Sequence, residues 1–178
     1  MVCDRCKVVL HQELDKAGIS VVSLELGELV VMDENTVSKS ALKEITERNG
    51  FEIIEQKSSV IVEKVKFLLI QKIEKLESLD EKTSSFLTRK LNMDYSSIGK
   101  TFSANAGLTI EKYLIRLKLE KAKELLQMDA QSFSEIAYSL GYSSGSHLAK
   151  QFKNSAGMSM TEYKRLQKWN RKTLDKIV

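Results

Sequence analysis

The sequence predicts an α+β chain in two parts: a small N-terminal unit of helices and strands, then an all-α domain. Three observations predict this. The period of the apolar residues changes several times before Lys57 and is helical after it. The charge reverses at the same place: residues 1–57 carry seven basic and eleven acidic side chains, a net of −4, whereas residues 58–178 carry 21 and 13, a net of +8. The second part also repeats itself. Such a charge asymmetry points to a polyanion as the partner of the basic part, with nucleic acid the leading candidate and solvation of exposed helix faces the bland alternative.

Along the first part, Val9, Leu10, Leu14 and Ala17 recur at helical spacing until Gly18. From Ile19 to Leu26, Val22, Leu24 and Leu26 alternate with polar residues. Gly27 and Glu28 then read as a two-residue turn and Leu29–Met32 as a second strand. Thr36 or Ser38 can cap a helix with the apolar face Val37, Ala41, Leu42 and Ile45, closed by Asn49 and Gly50 before a strand-like Phe51–Ile54. This order lacks only an opening strand to be the β-α-β-β-α-β arrangement of a small ferredoxin-like domain. That first strand would precede Met1: either the chain as given starts a few residues late, which is the expectation, or the domain makes do without that strand.

After Ser59 strand signals stop. Ile61, Val65, Leu68, Leu69, Ile73 and Leu76 mark an amphipathic helix, and its stripe Val62, Val65, Leu69, Ile73 and Leu76 is read as core, with a homodimer seam as the alternative. From Ile98 the chain matches itself fifty residues later: Ile98 with Leu148, Lys100 with Lys150, Phe102 with Phe152, Gly107 with Gly157 and Tyr113 with Tyr163. Upstream the offset is forty-nine, pairing Leu87 with Ile136, Leu91 with Leu140 and Asn92 with Gly141. Each copy is a helix, a sharp turn and a second helix, at about 84–107 and 133–157. Asn92 or Gly141 takes the left-handed turn conformation, and Asp94 and Ser143 or Ser144 cap the helix that follows. Ile98, Phe102, Leu148 and Phe152 are expected in the core.

These residues, above all SEIAYSLGYSSGSHLAKQFKNSAGMSMTEYK, resemble the DNA-binding domain of the AraC/XylS family of bacterial transcription regulators. The resemblance covers roughly residues 60–168 and makes 58–178 an AraC-type DNA-binding domain with two helix-turn-helix units. It implies that Ile110–Gln127 joins the units and holds both recognition helices toward double-stranded DNA. Carried over position by position, the family's reading residues fall on Tyr95, Ser96, Ser97, Gly99 and Lys100, and on Ser144, Gly145, Ser146, Ala149 and Lys150. Lys100 and Lys150 can donate to guanine O6 and N7, and Ala149 can pack on a thymine methyl. Phosphate contact or plain solvation is the alternative for each lysine.

MVCDRC at the start, followed by a helix, a hairpin and Gly50-Phe51, resembles the heavy-metal-associated domain of copper chaperones and metal-transporting ATPases, over about residues 1–57. The resemblance implies that Cys3 and Cys6 bind Cu(I) or another soft metal ion; two thiols alone do not close a zinc site. Asp4 and Arg5 stand where that family has small residues. His11 on the following helix reads as a solvated surface histidine, and Trp169 as a ring packed against the helical domain. A redox switch, or packing and dimer contacts, are the other roles open to the cysteine pair.

A chain of 178 residues with 42% apolar and 29% charged positions can bury a core. It has no run of eighteen apolar residues and no basic-then-apolar leader, so a soluble cytoplasmic protein without a membrane partner is expected. No acid, base or nucleophile constellation appears, and no enzyme activity is expected. The reading is a sequence-specific transcription regulator that responds to a metal or a small molecule, and the rival is a metal chaperone or buffering protein with an incidental helical tail.

Overall fold

Helix α1 (Asp4–Lys16) carries Leu10 and Leu14 four residues apart on one face, and both are buried. This computed structural model describes residues 4–25, 27–32, 38–54, 56–76, 81–166 and 171–177. Gly18, at φ +72°, ends α1, and the N–H of Ile19 closes back on the carbonyl of Leu14 at 3.0 Å. The antiparallel hairpin β1 (Val21–Glu25) and β2 (Glu28–Val31) follows, and then α2 (Lys39–Arg48). Leu10, Leu14, Ile19 and Ile45 form a small core, with Val21, Leu24, Leu29, Val31, Leu42 and Phe51 packed against it. Arg48 reaches back from α2 to Glu13 of α1 at 2.7 Å.

The hairpin departs from the sequence reading by one residue. Leu24 pairs with Leu29 on the inner face, so Glu28 pairs with Glu25 inside β2 and Gly27, at φ +89°, belongs to the turn. An irregularity between Val21 and Ser23 leaves Val22 outward and exposed. The expected strand at Phe51–Ile54 does not form, and among the described residues the sheet has two strands. The N–H of Phe51 is spent on the carbonyl of Thr46 at 2.8 Å, which finishes α2, while its ring packs on the core. Ile53 and Ile54 remain exposed. Ser38 occupies the N-cap of α2 in extended backbone, yet its hydroxyl bonds Ser40 Oγ and caps nothing. Thr36 and Val37 lie outside the described residues.

The remaining elements are helical: α3 (Lys57–Lys75), α4 (Thr83–Leu91), α5 (Tyr95–Ala106), α6 (Ile110–Met128), α7 (Phe133–Ser139), α8 (Gly145–Ala156), α9 (Met160–Lys164) and a 3-10 turn at Leu174–Lys176. The chain divides into two compact units, Met1–Phe67 and Leu68–Val178, so the division falls inside α3. Of the stripe read as core, Val62, Val65, Leu69 and Ile73 are buried, with Ile70 beside them, and Leu76 is partly buried. Among the described residues no helix is long and apolar enough to cross a membrane.

The second unit is built on α6. Leu119, Ala122 and Leu126 of that helix share a core with Ile136, Ala137 and Leu140 around α7, Leu148 and Phe152 of α8, and Met160 and Tyr163 of α9. The repeat is visible in the packing: Phe102 lies against Tyr113 with ring centroids 5.6 Å apart, and Phe152 lies against Tyr163 at 5.3 Å. The caps repeat as well. Thr109 Oγ1 accepts from the N–H of Lys112 at the start of α6, and Ser159 Oγ from that of Glu162 at the start of α9.

Candidate nucleic-acid interface

Each helix-turn-helix corner needs one residue in the left-handed region, and each copy supplies one. Asn92 sits at φ +50° between α4 and α5, and Gly141 at φ +69° between α7 and α8. The second copy has one residue more between this corner and its first buried anchor, Leu148 instead of Ile98. Asp94 then starts α5, its carboxylate accepting from the N–H groups of Ser96 at 2.8 Å and Ser97 at 3.0 Å. Hydrogen bonds from Ser97 and Ser96 hold that carboxyl down to about 2. Ser144 starts α8, its hydroxyl accepting from the N–H of His147 at 3.3 Å. Ile98, Phe102, Leu148 and Phe152 are fully buried, so the opposite sides of α5 and α8 are left outward.

The ten residues singled out by sequence fall into two groups. Ser96, Ser97, Lys100, Ser146, Ala149 and Lys150 are exposed along α5 and α8. The others have structural employment or no reach. Tyr95 is half-buried and donates its hydroxyl to Glu111, and burial together with that carboxylate pushes the phenol up; the same bond holds Glu111 down. Ser144 is the cap. Gly145 passes close to α7: a Cβ there would meet Ser134 Oγ at 3.5 Å and its Cα at 3.8 Å. Gly99 faces open space, with nothing within 4 Å of where a Cβ would be.

Three side chains, Tyr142 before α8 and His147 and Gln151 on it, escaped sequence reasoning. Tyr142 is buried and donates its hydroxyl to Gln151 Oε1 at 2.8 Å, with His147 edge-on to its ring at 5.3 Å. Burial pushes the Tyr142 phenol up to about 12. The signal was an aromatic directly after the corner glycine, a position held by Met93 in the first copy.

At the other end of the chain, Cys6 is half-buried on α1 and Cys3 lies outside the described residues, as does Trp169. His11 is exposed and bonds Asp15 at 2.8 Å. Among the described residues no group of three or more His, Cys, Asp or Glu could hold a metal ion.

A helix-turn-helix domain family matches residues 87–166, which takes in both corners, both capped helices and α6. The C-terminal domain of AraT from Geobacillus stearothermophilus, described as a response regulator, superposes with a TM-score of 0.53 at 25% identity, over 66% of this chain and 94% of that one. The C-terminal region is an AraC-type helix-turn-helix domain. A Chromobacterium violaceum regulator with an AraC-type DNA-binding domain shares the fold at a TM-score of 0.50 and 18% identity, over 59% of this chain and 96% of that one. Among curated proteins, the Msm operon regulatory protein of Streptococcus mutans is 29% identical over 79 residues, 44% of this chain and 28% of that protein. The transcriptional activator RhaS of Escherichia fergusonii is 33% identical over 66 residues, 37% of this chain and 24% of that protein. The chain spans less than a third of the length of these curated relatives. The AraC-type domain thus has its two outward helices, α5 and α8, at either side of α6 in sequence, each capped and each anchored by two buried side chains.

Proposed function

We propose that the chain is a sequence-specific transcription regulator that binds double-stranded DNA through α5 and α8. One observation carries the reading: Lys100 and Lys150, fifty residues apart and equivalent in the repeat, are both exposed on helices whose other side is fixed in the core. A helix held in this way presents its outer side chains to a major groove, where lysine donates to guanine O6 and N7. Ser96, Ser97, Ser146 and Ala149 flank these lysines and complete the reading surface. Tyr95, Ser144 and Gly145 act by setting the pose of each helix, and Gly99 lets the backbone of α5 approach the duplex. The net +8 charge of residues 58–178 supplies the sequence-independent attraction to phosphate.

In this reading residues 1–57 receive the signal and residues 58–178 bind DNA. A soft-metal response through Cys3 and Cys6 is supported by their spacing, and the double variant Cys3→Ser with Cys6→Ser tests it: Cu(I) should shift the DNA affinity of the parent and leave the variant's unchanged. The DNA-binding proposal itself is tested by fluorescence anisotropy of duplex binding at one stated salt concentration. Wild type should bind a selected duplex more tightly than a scrambled one, and Lys100→Ala and Lys150→Ala should each reduce that preference. Equal affinity for both duplexes would contradict it.

A further inference from the structure

Between α6 and the second helix-turn-helix lies a cleft of about 340 Å³ that the reading residues do not use. Its walls include Ile115 and Lys118 of α6, Tyr142 and Ser143 of the corner, and His147 and Gln151 of α8. Lys118 is half-buried, and among the described residues it makes no ion pair; its Nζ lies 5.0 Å from the centre of the Tyr142 ring. A second cation bears on it. Lys72 of α3 is buried, donates Nζ to the Glu81 carbonyl at 3.0 Å, and lies 4.5 Å from the Phe86 ring centre. Burial first, and then the charge of Lys72, pull the Lys118 ammonium below its ordinary value. A desolvated ammonium facing a ring and a like charge is stabilised by an anion in the cleft.

We infer that the cleft beside Lys118 is a phosphate site, and that the phosphate it takes belongs to the backbone of the bound duplex. The inference rests on the DNA-binding reading. Two features favour the duplex over a free anion. The corner and α8 form one wall, so the cleft is continuous with the second reading helix. Glu111, which also lines the cleft, holds Tyr95, the first residue of the first reading helix. Glu111 does not compete for Lys118: it lies seven residues earlier on α6, a rise of about 10 Å, and its carboxylate is engaged by the Tyr95 hydroxyl.

The test is the salt dependence of duplex binding by the full chain. Each phosphate neutralised contributes about 0.9 to the slope of log K against log salt. Lys118→Met, which keeps the stem, should lower the slope by about 0.9 and weaken selected and scrambled duplexes by the same factor. Lys118→Arg should retain the wild-type slope, and thermal melts should show both variants folded. An unchanged slope in folded Lys118→Met would overturn the phosphate contact while leaving the DNA reading intact. No binding by wild type at low salt would overturn the DNA reading itself. Inorganic phosphate titrated at constant ionic strength separates the sources: displacement of the duplex from wild type but not from Lys118→Met, with equal salt slopes, would overturn the backbone assignment.

Discussion

Lys150 and Asp94 show how single residues can be separated by what they touch. If Lys150 reads a base, Lys150→Ala costs about 1–3 kcal/mol at one base pair and little elsewhere in the site. Binding measured to duplexes altered one position at a time checks this, and a uniform loss over all of them would make Lys150 a phosphate contact. Asp94 gives a pH dependence with a definite sign. Its carboxyl is held down from 3.8 to about 2 by the serine hydrogen bonds, so the folded form stays charged while the unfolded form takes up a proton. The contribution of the charged cap is therefore full above pH 4 and fades as the pH falls toward about 2. Asp94→Asn keeps an acceptor but no titration, so its melting temperature should lie below wild type at pH 5 and converge on it near pH 2. A constant difference across that range would contradict the assignment.

Among the elements, the corners respond to single changes, and the packed core of each unit responds more. Asn92 holds φ +50°, a conformation that costs a residue with a Cβ and no local hydrogen-bonding group about 1–2 kcal/mol. Asn92→Ala should lower stability by about 1 kcal/mol in urea unfolding, and Asn92→Gly should not. Phe152→Ala, which empties a fully buried site against Tyr163, should cost about 3–5 kcal/mol. The helical half was legible in the sequence because its signals are local: a fifty-residue repeat, corner residues, caps and a 3.6-residue period. Phe51–Ile54 was not legible in the same way. An apolar β-branched run becomes a strand only if a partner edge accepts its N–H groups, and here Phe51 gives its N–H to the end of α2. The hairpin slipped by one residue because Leu24 and Leu29 set the register across the sheet, which turn chemistry alone does not reveal. Of the candidate site, the serines and lysines of α5 and α8 were legible through the resemblance to the AraC/XylS DNA-binding domain and not through period or spacing. The employment of Tyr95 by Glu111 and of Tyr142 by Gln151 depends on contacts across the fold.

At the scale of the whole molecule, the division between the two compact units falls within α3, ten residues after the charge reverses. A fragment should therefore keep α3 whole. Residues 56–178 are expected to fold and to bind DNA with the affinity of the full chain, checked by a cooperative melt and by anisotropy; loss of the melt would mean that the second unit needs the first. Selection of bound DNA from a random pool by the reduced chain, at one stated salt concentration, tests most directly whether two matched helices read one duplex. The expected result is a recovered motif of two short segments about one helical turn apart, one lost with Lys100→Ala and the other with Lys150→Ala. Recovery of no motif, or of a motif that neither substitution changes, would contradict it.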